Sequence, residues 1–341
     1  MDAQLERMAD EAESEAAASA GAPGGTSELT LYQRIGDVKR RARSQSVQDL
    51  MYFSVLRKFI SLGVDLLPPL DGKVPVGNAD LGSLTKGVHS LEALELVREH
   101  LEGVLGGGQR GGEPFSNAMI RMSKLQAAQV YAASLMFGYF LRRVDSRFQL
   151  ERQMGSLPRS AEESVKALED LFNSATAADP ADPPPSPGLY RKAGDGAAAQ
   201  PAQPAQPKEA PAELASRKAS LRRYVETFDA ETLSATARIV SMEGVALVER
   251  QTTALFGSVE ALSTQMTEAI GSDVQSREDF MARMQEAIAT GKVENITLPY
   301  ITQRRLVLES VAFGSFLRDV EARVGAENAV LLTPTPGTPG M

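Results

Sequence analysis

The stretch Ser134-Leu-Met-Phe-Gly-Tyr-Phe-Leu-Arg-Arg-Val-Asp-Ser-Arg147 returns near the other end of the chain. There it reads Ser310-Val-Ala-Phe-Gly-Ser-Phe-Leu-Arg-Asp-Val-Glu-Ala-Arg323. The shared pattern is S-x-x-F-G-x-F-L-R-x-V-[DE]-x-R at one offset, 310 − 134 = 176. A match this long inside one chain points to an internal duplication. A second, shorter match supports it in the same order: Ser90-Leu-Glu-Ala-Leu-Glu-Leu-Val97 with Ser241-Met-Glu-Gly-Val-Ala-Leu-Val248, at an offset of 241 − 90 = 151. The offsets differ by 176 − 151 = 25, so the second copy carries extra residues between its two repeated segments.

The apolar periodicity within these segments is helical. Phe137, Phe140, Leu141, Val144 and Phe148 make one stripe of a helix expected from near Ala118 to about Glu151. Leu50, Phe53, Leu56, Phe59 and Ile60 make another, which ends before the Pro68-Pro69 break. Ser90 is an N-cap for a helix through Leu91, Leu94, Val97 and Leu101. The second half is expected to hold helices over 212–228, 231–256 and 277–288, with Asn295–Pro299 as a short strand. The fold class is therefore all-α: two related helical halves, at 28–176 and 212–327. An acidic tail expected to be solvated (1–27) precedes them, a loose tail (328–341) follows, and a linker (177–211) joins them. Nine of the chain's 19 prolines fall in that linker, so it is read as a disordered or polyproline connector.

Composition excludes several chemistries. With no cysteine there is no disulfide frame, thiol nucleophile, zinc ribbon or iron–sulfur site. Only two histidines, His89 and His100, are present, both expected at the surface or rim. No metal-ligand motif, nucleophile elbow or dinucleotide fingerprint occurs, so neither a catalytic residue nor a cofactor is assigned. Gly106–Gly112 lacks the Lys-Ser/Thr ending of a phosphate loop and reads as a connector. The net charge of −8 argues against nucleic acid as a partner, although Lys39-Arg-Arg-Ala-Arg43 is a basic run. That run is read as the basic end of a helix. The most apolar stretch, Val130–Leu141, is too short to span a bilayer, and the acidic start does not read as a transit peptide. A protein partner is the remaining expectation, with the oligomeric state left open.

The polar residues shared by the copies are the candidate site. Glu92 matches Glu243, Arg142 matches Arg318, and Asp145 matches Glu321. Two readings are open. In one, Glu92–Arg142 and Glu243–Arg318 are bidentate pairs between helices. In the other, Arg142 and Arg318 bind an anionic small molecule. Ser134 with Gly138, and Ser310 with Gly314, put small residues one turn apart, where another helix backbone can approach closely.

Gln126 through Glu151, with Leu221-Arg-Arg-Tyr-Val, Phe228-Asp-Ala-Glu-Thr-Leu233, Ala246-Leu-Val-Glu-Arg-Gln251 and Leu308 to Leu317, resembles the plant UV-B-induced chloroplast proteins. The resemblance runs from about Leu50 to Arg323 outside the linker. It implies a chloroplast-stroma protein responsive to stress or light, where the residues alone would also allow the cytoplasm. The domain shared by that family has no assigned activity, so no catalytic residue carries over.

Overall fold

The computed structural model describes residues 2–20, 26–70, 81–105, 118–157, 220–271 and 273–336. The Gly106–Gly112 connector, the Ser160–Phe172 stretch, whose apolar spacing also predicts a helix, and the 177–211 linker lie outside them. Among the described residues the chain is helical apart from one two-stranded sheet. In order it forms α1 (Asp2–Ala20), α2 (Thr26–Ser61), α3 (Leu81–Lys86), α4 (Leu91–Leu105), β1 (Met119–Ser123) and α5 (Lys124–Met154). It continues with α6 (Leu221–Glu226), α7 (Ala230–Ala237), α8 (Met242–Phe256), α9 (Val259–Ile270), α10 (Arg277–Thr290), β2 (Asn295–Pro299) and α11 (Tyr300–Glu327). A 3-10 turn at Ala329–Leu331 closes the series.

Two compact units are present. The larger takes Met1–Arg147 and Val225–Met341, so both halves of the sequence contribute to it. The smaller is Phe148–Tyr224. Within it the Phe148 and Tyr224 rings lie 5.5 Å apart, and the Tyr224 hydroxyl donates to Glu151 Oε1 at 2.8 Å.

The axis of the larger unit is α11. Every residue from Leu306 to Leu317 is buried, so this helix is enclosed on all sides rather than amphipathic. It packs against α2, α3, α4, β2 and the 3-10 turn. Phe59 of α2 meets Phe316 edge-on at 5.1 Å and Phe313 at 6.2 Å. Val47, Met51, Val55 and Phe59 are buried at four-residue intervals and form the inner face of α2.

The strands pair antiparallel, from Met119↔Pro299 to Ser123↔Asn295. The central pair is Arg121↔Thr297, whose members are 297 − 121 = 176 residues apart, the offset of the long repeat. Each strand leads directly into a motif helix. For β1 the switch is a capping box: Ser123 Oγ accepts from the Gln126 N–H at 3.1 Å, and Gln126 Oε1 accepts from the Ser123 N–H at 3.1 Å. That S-x-x-Q signal ends the strand, and the motif helix begins at Lys124 rather than at Ala118.

Three other elements differ from the sequence reading. The acidic start is helical over Asp2–Ala20, because Leu5, Met8, Ala9 and Ala12 fall on one stripe; Leu5 and Ala12 are buried. It packs against α2 and the 3-10 turn. The basic run Lys39–Arg43 is not a helix end but lies inside one continuous helix, α2, since nothing between Arg43 and Ser46 breaks the backbone pattern. The helix expected over 231–256 is broken between Ala237 and Met242. Arg143 Nη1 donates to the carbonyls of Ala235 (2.8 Å), Thr236 (3.3 Å) and Arg238 (3.4 Å), satisfying the end of α7. Ser241 then caps the start of α8.

Candidate functional site at the helix crossing

Two motif helices meet where their glycines face one another. A Cβ built on Gly138 would lie 2.7 Å from the Val311 carbonyl carbon and closer still to its oxygen. A Cβ on Gly314 would lie 2.8 Å from the Tyr139 nitrogen and 2.9 Å from the Leu135 carbonyl carbon. Leu135 and Val311 are themselves 176 apart (311 − 135), so each glycine touches the repeat equivalent of the other's partner. Backbone meets backbone here, which only a residue without a side chain permits. Ser134 and Ser310 are both fully buried beside the crossing. Ser134 Oγ lies 2.9 Å from His100 Nε2, Ser310 Oγ donates to the Val307 carbonyl at 2.8 Å, and Ser315 Oγ donates across the seam to the Gly138 carbonyl at 3.0 Å.

Charged groups crowd one flank of the crossing. Asp319 of α11 accepts from Arg142 Nε at 2.6 Å and Nη2 at 3.1 Å, and from Lys58 Nζ of α2 at 2.6 Å. Two cations thus share one carboxylate, and Lys58 also sits 5.1 Å from the Phe316 ring. His89 stands near Arg142 and Asp319. Burial, with Arg142 adding to it, lowers its pKa to about 4, so the ring is neutral at pH 7; its Nε2 has no hydrogen-bond partner among the described residues.

A second constellation surrounds Glu321, which is 1% exposed. The Tyr139 hydroxyl and Ser241 Oγ both donate to it, as does the Ser241 N–H at 3.0 Å, and Arg318 Nη1 reaches it at 3.1 Å. Burial and the Glu321 charge raise the Tyr139 pKa well above the usual phenol range. The same arrangement occurs at the repeat-related positions: Ser90, which caps α4 through the Ala93 N–H at 3.1 Å, donates to Asp145 at 2.9 Å. In both places the acid of a motif helix holds the cap serine of a neighbouring helix.

A third group lies deeper. Glu309, fully buried, accepts the Leu67 N–H on both oxygens at 3.1 Å, with Arg305 Nε 3.8 Å away. Burial pushes its carboxyl up to about 7, against the opposing pull of the Leu67 N–H and Arg305. Nearby Tyr131 accepts from Gln251 Nε2 at 3.3 Å, and Gln251 Oε1 accepts from the Tyr52 hydroxyl at 2.9 Å. Among the described residues no group of three or more His, Asp or Glu is placed to hold a metal.

The predicted charge pairs are made differently. Arg142 pairs with Asp319 rather than Glu92, and Arg318 pairs with Glu321, one turn along its own helix, rather than Glu243. Glu92 stands in the first turn of α4. Glu243, fully buried, accepts from Ser44 Oγ at 2.7 Å, the Thr333 N–H at 2.9 Å and Thr333 Oγ1 at 3.0 Å. The physical reason is reach. Repeat equivalence fixed which residues are alike, but not which lie opposite, and Asp319 has an arginine, Arg143, as its equivalent. Arg142 and Arg318 therefore each face a carboxylate inside the protein, in separate clusters. Both histidines are half-buried, and His100 stacks on Phe137 at 4.2 Å. Glu309 and His89 carried no pattern that would single them out, since neither meets a residue of its own type at the repeat offsets of 176 and 151.

Residues 30–154 match the model of a protein family of unknown function, DUF760. The chain is 35% identical over 314 residues to a UV-B-induced chloroplastic protein of Arabidopsis thaliana. The expected resemblance holds. The alignment covers 90% of this chain and 65% of that relative, so the chain spans about two thirds of the relative's length. No solved structure matches. That relative is chloroplastic by name, and no enzyme family is indicated by either match. Among the described residues no helix is long and apolar enough to cross a membrane.

Proposed function

We propose that this protein is a non-catalytic, light- or stress-responsive module of the chloroplast stroma, built from two related helical halves, that works by binding another protein. The reading rests on one observation. The polar residues repeated between the halves are engaged inside the fold: Arg142 on Asp319, Asp145 on Ser90 and Ser241 on Glu321 join helices, with Tyr139 also on Glu321, and Arg318 meets Glu321 along its own helix. Groups so committed give a rigid scaffold, whereas a catalytic group must be reachable by a substrate. Duplication is supported by the strand register centred on Arg121↔Thr297 and by the reciprocal contacts of Gly138 and Gly314. The link to light rests on the Arabidopsis relative, which is UV-B-induced by name.

Affinity purification of the tagged full chain from chloroplast stroma, after brief cross-linking and with sedimentation of the same sample, tests the proposal. A stoichiometric protein partner is expected. A monomer that recovers none, from both UV-B-treated and untreated tissue, overturns it.

A further inference from the structure

The basic run of α2 lies beside an acidic helix. Across a cleft of about 930 Å³, Arg7, Asp10 and Glu11 of α1 face Lys39, Arg43 and Ser46 of α2. Helix α1 carries Asp2, Glu6, Asp10, Glu11, Glu13 and Glu15 against the single basic residue Arg7, and of the basic run of α2 it is Lys39 and Arg43 that line the cleft, Arg40 pairing with Asp37. The apolar hold on α1 is narrow: Leu5 and Ala12 are its buried side chains among residues 2–14. Its first turn is tied by Asp2 to Arg323 at 2.9 Å, with both side chains more than half exposed. Exposed ion pairs contribute little and weaken with salt. The family match begins at residue 30, so the basic run lies inside the matched segment and α1 lies before it.

We infer that α1 is a displaceable competitor flanking the 39–43 face of α2, and that this face takes an acidic amphipathic helix of a partner protein. The occupant seen in the structure defines what fits: a helix with carboxylates toward Lys39 and Arg43 and apolar residues at the i, i+3, i+4, i+7 spacing of Leu5, Met8, Ala9 and Ala12. Electrostatic complementarity sets the register and speeds encounter, and the leucine supplies the anchor. Because α1 is part of the same chain, an outside helix must outcompete a high local concentration. Lys39 to Ala42 stay exposed beside α1, so the face is contested rather than closed until α1 is loosened. This inference deepens the protein-binding reading by naming the surface and the chemistry of the partner.

The test uses the full chain and a fluorescent synthetic peptide of residues 1–20 as the probe, with binding followed by anisotropy. Leu5→Asp unseats the anchor, and Asp10→Lys/Glu11→Lys reverses the charges facing the run. Either variant is expected to bind the peptide at least tenfold more tightly than wild type does. Binding is expected to weaken several-fold at about 0.5 M salt, where screening is short-ranged. It should vanish when Lys39→Glu/Arg43→Glu is added. If Leu5→Asp loses its circular dichroism signal, the charge-reversed variant carries the test. Equal affinity for wild type and variants, or binding that survives Lys39→Glu/Arg43→Glu, overturns the inference. So does a variant that gains affinity for an RNA oligonucleotide or anionic vesicles in place of the peptide. A stromal partner recovered equally by wild type and by Lys39→Glu/Arg43→Glu would leave protein binding standing and place it elsewhere.

Discussion

Replacing Gly138 by alanine asks whether the crossing of the motif helices holds the larger unit together. The added Cβ would lie 2.7 Å from the Val311 carbonyl carbon and 2.8 Å from its Cα, where ordinary contact begins at 3.4 Å. Both obstacles are backbone, so no rotamer change relieves them, and the helices must part by about 1 Å. Overpacking of this kind costs about 1–3 kcal/mol. A gap of that size also forfeits roughly a quarter to a half of each atom-pair attraction, about 0.1–0.2 kcal/mol apiece, for the buried pairs along the seam. Leu135, Leu141, Phe313 and Leu317 flank it with no exposure, so a few tens of pairs add about 1–2 kcal/mol. The hydrogen bond from Ser315 Oγ to the Gly138 carbonyl is stretched as well. Against this, alanine is the better helix former by about 1 kcal/mol. The net expectation is a loss of about 3 kcal/mol in urea denaturation followed by far-UV circular dichroism. Gly36→Ala in α2, where a Cβ meets nothing within 4 Å, is the control and should be neutral or slightly stabilising. Gly314→Ala should cost as much as Gly138→Ala, and the double variant less than their sum, because one separation relieves both clashes. A Gly138→Ala protein within about 0.5 kcal/mol of wild type refutes the reasoning.

Glu309 sets a pH dependence. Its folded-state pKa of about 7 lies above the ordinary 4.5, so its contribution is fully present below pH 4.5 and is lost as the pH rises through 7. At 1.36 kcal/mol per unit this amounts to about 3 kcal/mol. Glu309→Gln keeps an acceptor for the Leu67 N–H, so its Tm should fall less than that of wild type between those pH values; parallel profiles count against the assignment. Ser241→Ala removes both the cap of α8 and a donor to buried Glu321, for an expected loss of about 2–3 kcal/mol. Ser258→Ala, at the exposed cap of α9, should lose only about 1 kcal/mol, and equal losses would sink the distinction.

Much of the fold was legible in the chain. Helical spacing marked α4, α5, α10 and α11 and the body of α8, Ser90 announced its cap, and Asn295–Pro299 read as a strand, whereas Ser241 was read as the interior of a helix. These are local signals, set by how each side chain meets its own backbone and nearest turn. Where a second local signal was overlooked, the reading failed: Ser123-Lys-Leu-Gln126 is a capping box inside what looked like one helix, and β1 ends there. The stripe of α1 was legible too, but it is only four residues wide amid many carboxylates.

The recurring motif marked which positions of the chain correspond in pattern, and the small-residue faces named the places where helices could come close. What the repeat could not fix is which residues lie opposite one another. That depends on where a crossing falls along each helix and how far each is turned about its axis. The crossing at Gly138 and Gly314 gives Asp319 to Arg142 and Lys58, and leaves Glu243 to Ser44 and Thr333. Burial was equally out of reach of the sequence. Glu309 becomes a carboxyl with a pKa near 7 because residues far away in the chain exclude water from it, and that exclusion is a property of the packed helices alone.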